Sequence, residues 1–257
     1  MKTLIKKGII SFGDWKINAM CFIPEGEKKD VLGIFTHGYT SHKGSILSWP
    51  ARLADVGTSS IIFDLPGHYL GSFNEMNDFL KFKKSSHLLF FKAWDLFKDY
   101  LKFKNKPKVI LGGHSLGALL ALKAMELEEF GHLEKYAVCV GLGLPPEKGS
   151  HLFETNFFEK TMNLRSQMVS PELCPENILP WIKAEKRGLE VKDKNIFLIL
   201  GEDDVIVSVK EAKDLVDLLK KGGNRVSLKI VKKLPHHLPD SAAFYIKNIL
   251  REEKVLI

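Results

Sequence analysis

The 257-residue sequence predicts an α/β fold, a mainly parallel sheet with helices on both faces, entered through an antiparallel N-terminal hairpin and broken once by a short helical cap. Three observations predict it. From residue 31 onward, short apolar runs of strand length alternate with longer stretches of helical period. Two β-like runs precede that alternation, separated by "GDW". Residues 147–192 interrupt it with a stretch that holds no strand-like run.

"KGIISFG" and "KINAMCFIP" form the hairpin. "VLGIFTHG" (31–38) is the first buried strand, because a run apolar at every position must be covered on both faces. A helical stretch around "SWPARLADVG" follows, then the strand "SSIIFD" (59–64) and a long helical region ending near Lys104. "KVILGG" (108–113) is a strand, and the helix after Ser115 runs to about Phe130. "YAVCVGLG" and "NIFLILG" (195–201) are the next strands; "VKEAKDLVDLLKKGG" is a helix that Gly222 and Gly223 stop. "VSLKIVK" is the last strand and "SAAFYIKNILREE" the closing helix. Within 147–192, Phe153, Met162, Leu179 and Trp181 are among the apolar residues, and Pro171, Pro175 and Pro180 divide the segment into short helices. It reads as a cap within one domain spanning 1–257.

Composition excludes several classes. The net charge of +7 is almost entirely dispersed lysine, with only five arginines and no cluster suited to phosphate, so no nucleic-acid partner is expected. Three cysteines, widely spaced, make neither a disulfide framework nor a zinc site. No apolar run approaches a membrane span and the N-terminal stretch lacks a signal-peptide pattern, so a cytoplasmic location is expected. The basic amphipathic stretch with Phe90, Trp94, Phe97 and Leu101 on one face is read as a sheet-packing helix, without stable membrane insertion. The sequence does not set the oligomeric state.

Ligands of such sheets bind where the strands end at their carboxyl side, and the chemistry-bearing residues collect there. "GGHSLG" places Ser115 between strand and helix, a sharp turn that strains the serine and exposes its Oγ, with Gly113 and Gly117 where a Cβ would clash. A nucleophilic serine needs a base, an orienting carboxylate and donors for the developing oxyanion. "LGEDDVIVS" offers Asp203 and Asp204 after a strand, and Glu202 less well placed. "LPHHLPD" offers His236 and His237 after the last strand; neighbours on a loop point in different directions, so one alone can serve, and His237 is the favoured base. The oxyanion donors are the backbone N–H groups of Leu116, next to the nucleophile, and Tyr39, in the "HGYT" loop where Gly38 lets the chain turn.

The order Ser115, Asp204, His237, with the elbow and the "HG" loop, resembles the α/β-hydrolase superfamily over nearly the whole chain. "FDLPGH" (63–68) resembles the D-x-P-G-H-G-x-S segment of many members, with Tyr69-Leu70 in place of the usual glycine. "GEDDVIVS" resembles their G-x-x-D-x-[IV]-V-[PS] segment and so favours Asp204; "HHLPD" resembles their histidine loop and favours His237, although His236 replaces the usual preceding glycine. Serine at the elbow departs from dehalogenase- and epoxide hydrolase-like members, and the chain is similar to small serine carboxylesterases of feruloyl esterase and monoacylglycerol lipase type. The resemblance implies a small-molecule ester substrate with a hydrophobic acyl or aryl group, cleaved through an acyl-enzyme, with no metal and no cofactor. Thioesterase, peptidase or hydroxynitrile lyase-like chemistry would use the same triad, and a non-catalytic ligand-binding member is a further alternative. His42, Lys43 and His68 lie near the expected site and are candidates to touch substrate.

Overall fold

Strands that are apolar throughout lose their advantage unless both faces are covered, and the computed structural model, which describes residues 2–146 and 156–256, covers both. The strands are β1 (Thr3–Phe12), β2 (Trp15–Pro24), β3 (Val31–Thr36), β4 (Ser59–Phe63), β5 (Lys108–His114), β6 (Lys135–Val140), β7 (Asn195–Gly201) and β8 (Arg225–Val231). The helices are α1 (Ser48–Ala54), α2 (Phe79–Ser85), α3 (Leu89–Phe97), α4 (Leu116–Ala124), α5 (Asn156–Gln167), α6 (Pro175–Arg187), α7 (Val209–Lys221) and α8 (Ala243–Glu252). They enclose one eight-stranded sheet in the order β1-β2-β4-β3-β5-β6-β7-β8. β1 and β2 pair antiparallel, as do β2 and β4, and every other pair is parallel.

Side-chain alternation along the strands divides the core into two layers. On one face, Trp49 and Leu53 of α1 and Ile246 and Leu250 of α8 pack with Phe35, Ile62, Val138 and Phe197. On the other, Phe82, Phe90, Leu120 and Leu215 from α2, α3, α4 and α7 pack with Ile34, Ile61, Leu111 and Leu198. Each such side chain contributes about 1.5–3 kcal/mol by leaving water. Phe90, Phe97 and Leu101 are buried and Trp94 stacks on Phe130 at 5.5 Å, so the basic amphipathic stretch spends its apolar face on the sheet and on α4's end. Among the described residues no helix is long and apolar enough to cross a membrane.

Local structure differs from the sequence expectation in three places. The long helical region before β5 is two α-helices separated by a 3-10 turn, Ser86–Leu88. There the Ser86 hydroxyl donates to the Phe82 carbonyl at 2.7 Å and competes with the helical ladder. Helix α4 stops at Ala124, because Leu127 turns extended and lets Phe130 tuck beneath Trp94. Pro175 opens α6 as expected, but Pro180 sits inside it without ending it. That proline removes one hydrogen bond near the helix start, and the burial of Ile178, Trp181 and Ile182 holds the rest. Phe153 of the expected cap lies outside the described residues.

Candidate active site

The turn from β5 into α4 sets the geometry. Ser115 has φ 50° and ψ −109°, a conformation that L-residues avoid and that only surrounding structure can hold. Its N–H donates to the Val140 carbonyl at 2.9 Å, and its carbonyl accepts from Leu119 N–H, so the elbow is fixed to β6 and to the helix it starts. A Cβ on Gly113 would stand 2.5 Å from the Gly117 carbonyl carbon, and one on Gly117 would stand 2.5 Å from the Thr36 carbonyl oxygen. Backbone on both sides cannot move away, so these glycines permit the close approach of β5, α4 and the end of β3. Leu116 opens α4 and its N–H therefore has no acceptor within the helix.

The Tyr39 loop turns differently from expectation. The left-handed residue is Thr40, at φ 57°, while Gly38 has ordinary φ and is small because a Cβ there would stand 2.7 Å from His114 Nδ1. The Tyr39 hydroxyl donates to the Leu173 carbonyl at 2.8 Å, tying this loop to the segment before α6.

Asp204 and a histidine do meet, but the histidine is His236 rather than His237. His236 Nδ1 lies 2.8 Å from Asp204 Oδ2, while His237 is exposed and makes no such contact. Asp204 is nearly inaccessible, and its other oxygen accepts from Ile206 N–H at 2.8 Å and Val207 N–H at 2.9 Å, which keeps the carboxylate aimed at the ring. Asp203 plays a different part. Its Oδ1 accepts from Leu234 N–H at 3.0 Å and holds the start of the histidine loop against β7's end. The far end of that loop is held by α1. Asp240 accepts from Ser48 N–H and Ser48 Oγ, both at 2.6 Å, and Trp49 Nε1 donates to the Pro239 carbonyl at 2.8 Å. With both ends held, the loop turns His236 inward and His237 out.

Ser115, His236 and Tyr39 line one cavity of about 520 Å³, together with His237 at its rim. Leu179 and Ile182 of α6 and Val205, Ile206 and Val207 after β7 give it apolar walls. Three of its lining residues have no motif to announce them: His114, Arg165 and Lys186. His114 ends β5, and its ring centroid is 4.5 Å from that of His236 at 56°. Burial, and then His236 and His37 beside it, hold its imidazole neutral well below the ordinary range. Arg165 donates from α5 to Thr40 Oγ1 at 3.2 Å. Lys186 is 6% exposed; burial lowers its pKa to about 8, with Glu211 and Asp204 acting in the opposite direction, so it is charged at neutral pH.

None of His42, Lys43 and His68 lines this cavity. Lys43 gives both its N–H and its ammonium to buried Asp64, each at 2.7 Å. His68 is buried with its ring 5.2 Å from His37. His37 accepts from Leu65 N–H through Nε2 and donates through Nδ1 to Gly38 O.

These buried histidines make acid stability a testable property. Burial lowers the pKa of His37 from 6.5 to about 4 and that of His68 to about 3. The unfolded chain binds these protons first, so the stability present above pH 6.5 is lost as pH falls through the folded values. Urea midpoints measured at stepped pH are expected to fall steadily from pH 6.5 to about 4; a flat profile across that interval would contradict neutral burial of the rings.

A strained serine at a strand-to-helix turn, sharing a cavity with a carboxylate-paired histidine at the carboxyl end of a parallel sheet, defines a class of fold and site. The Alpha/beta hydrolase family profile matches residues 34–219, and the chain belongs to that family. Solved structures agree on the fold. A lipase in its open form is 17% identical, with 98% of this chain and 99% of that one covered and a TM-score of 0.66. Est1E from Butyrivibrio proteoclasticus is 16% identical, with 97% of each chain covered and a TM-score of 0.60. The esterase Pf2001 from Pyrococcus furiosus is 20% identical, with 97% and 90% covered and a TM-score of 0.59. No curated protein sequence matches the chain.

Proposed function

We propose that the protein is a serine hydrolase of carboxylic esters, with Ser115 as nucleophile, His236 as general base and acid, and Asp204 as the orienting carboxylate. The observation that carries this reading is the shared cavity of Ser115 and His236, with Asp204 on the other side of the imidazole. Donation from Nδ1 to Asp204 leaves Nε2 as the basic nitrogen. His236 then takes the Ser115 proton as Oγ attacks the ester carbonyl, and the oxyanion is held by the N–H groups of Leu116 and Tyr39. The same imidazolium gives its proton to the leaving alkoxide, releasing the alcohol and leaving an acyl-serine. Water, deprotonated by His236, attacks that acyl group, and collapse of the second tetrahedral intermediate frees the acid and restores Ser115.

The esterase and lipase neighbours support ester hydrolysis as the chemistry. The apolar walls and the cavity volume of about 520 Å³ suit a small to medium hydrophobic acyl group. In this reading α5 and α6 act as a short cap over the strand ends, within a single domain. The test is a fluorophosphonate probe, whose phosphorus reacts only with an activated serine. Wild type is expected to label and Ser115→Ala to remain unlabelled while melting normally. An unlabelled, folded wild type would overturn the reading.

A further inference from the structure

A buried lysine on an otherwise apolar wall needs a reason. Lys186 follows Ile178 and Ile182 at four-residue intervals on α6, in line with buried side chains, where a leucine or methionine would pack without desolvating a charge. Among the described residues it has no hydrogen-bond acceptor or ion-pair partner within reach, although Glu211 and Asp204 act on it through space. Its side chain borders the cavity that holds Ser115. Arg165 borders the same cavity from α5, and among the described residues no carboxylate does. The cavity thus combines an apolar wall, from Leu179 and Ile182, with two cationic side chains. A desolvated ammonium of this kind favours an anionic ligand group, which gains a charge-assisted hydrogen bond where water is scarce.

We propose that Lys186, supported by Arg165, selects ester substrates that carry a carboxylate at the end of an aliphatic acyl chain, so that the protein acts on half-esters of dicarboxylic acids. This rests on the ester-hydrolase reading above and specifies its substrate. The methylene segment of such a substrate lies along Leu179 and Ile182 while its carboxylate meets the Lys186 ammonium. Lys186 is here a specificity-determining residue and takes no part in the bond changes.

Matched esters isolate the charge: monomethyl against dimethyl esters of succinate, adipate and suberate, with released acid followed by pH-stat. For wild type, kcat/KM is expected to favour the monoester at least tenfold at one or more chain lengths. Lys186→Met is expected to bring that ratio close to one, and Lys186→Arg to keep most of it. Thermal melts establish that both variants fold. A wild-type ratio of one or below at every length overturns the proposal. So does a Lys186→Met variant that slows both esters equally and labels more slowly with the fluorophosphonate, since Lys186 would then act through Asp204 and His236. Should wild type fail to label or hydrolyse any ester, the hydrolase reading falls separately. Calorimetric titration with suberate still decides the anion site: binding lost in Lys186→Met supports it, and absent or unchanged binding overturns it.

Discussion

On the proposed mechanism, His236→Ala is expected to lower kcat by about six orders of magnitude, the usual cost of removing a triad base. His237→Ala is expected to stay within about threefold of wild type, as befits an exposed residue at a cavity rim. The contrast is large because the two neighbours are not interchangeable. His236 alone is paired with Asp204, at 2.8 Å, and shares the cavity with Ser115. For His237 to take over, the loop would have to rotate against the bonds from Leu234 to Asp203 and from Ser48 to Asp240. Steady-state kinetics on a p-nitrophenyl ester, with circular dichroism to establish folding, decides the matter. Equal losses in the two variants, or a larger loss at His237, would reassign the base.

Asp204→Asn is expected to cost about four orders of magnitude in kcat while leaving the fold intact. The asparagine oxygen can still accept from Ile206 and Val207, which bind Oδ1 in the native protein, so the local turn survives. The amide NH2 is then left facing His236 Nδ1. A donor facing Nδ1 favours the tautomer with its proton on Nε2, and that ring cannot accept from Ser115. Asp203→Asn provides the control, because its amide oxygen can still accept from Leu234 N–H and its side chain has no contact with the imidazole. Activity and fluorophosphonate labelling rates are expected to fall together in Asp204→Asn and to change little in Asp203→Asn. Comparable losses in both would mean that the Asp203 anchor matters as much as the Asp204 contact.

The parts legible in the sequence are those set by local chemistry. Apolar runs identified β3 to β7 because a doubly covered strand has little alternative composition, while β1, β2 and β8, partly exposed, were legible from their β-forming residues and their place in the alternation. The elbow was legible because two glycines bracketing a serine describe a steric requirement, and the distances around Gly113 and Gly117 show how tight it is. The choice between His236 and His237 depends on bonds to residues as distant as Ser48 and Trp49, which no spacing within "LPHHLPD" encodes. Lys186 did leave a trace: a lysine in register with Ile178 and Ile182 breaks the apolar face of an amphipathic helix. In a cap read as short helices divided at Pro171, Pro175 and Pro180, that register could not be assigned before α6 was seen to run through Pro180. His114 carried no signal of its own, since the residue before Ser115 ends a strand in any case.

The long reach of the histidine loop also orders events in time. Trp49 is joined to Pro239, and Ser48 to Asp240, across about 190 residues of intervening chain. The ribosome therefore releases α1 and the elbow well before it releases the imidazole that would arm them. On the mechanism proposed above, Ser115 lacks its base until β8 joins the sheet edge and carries its following loop back to α1. An ester hydrolase built this way cannot turn over before its last strand has docked, so on the proposed function the first turnover would report that docking.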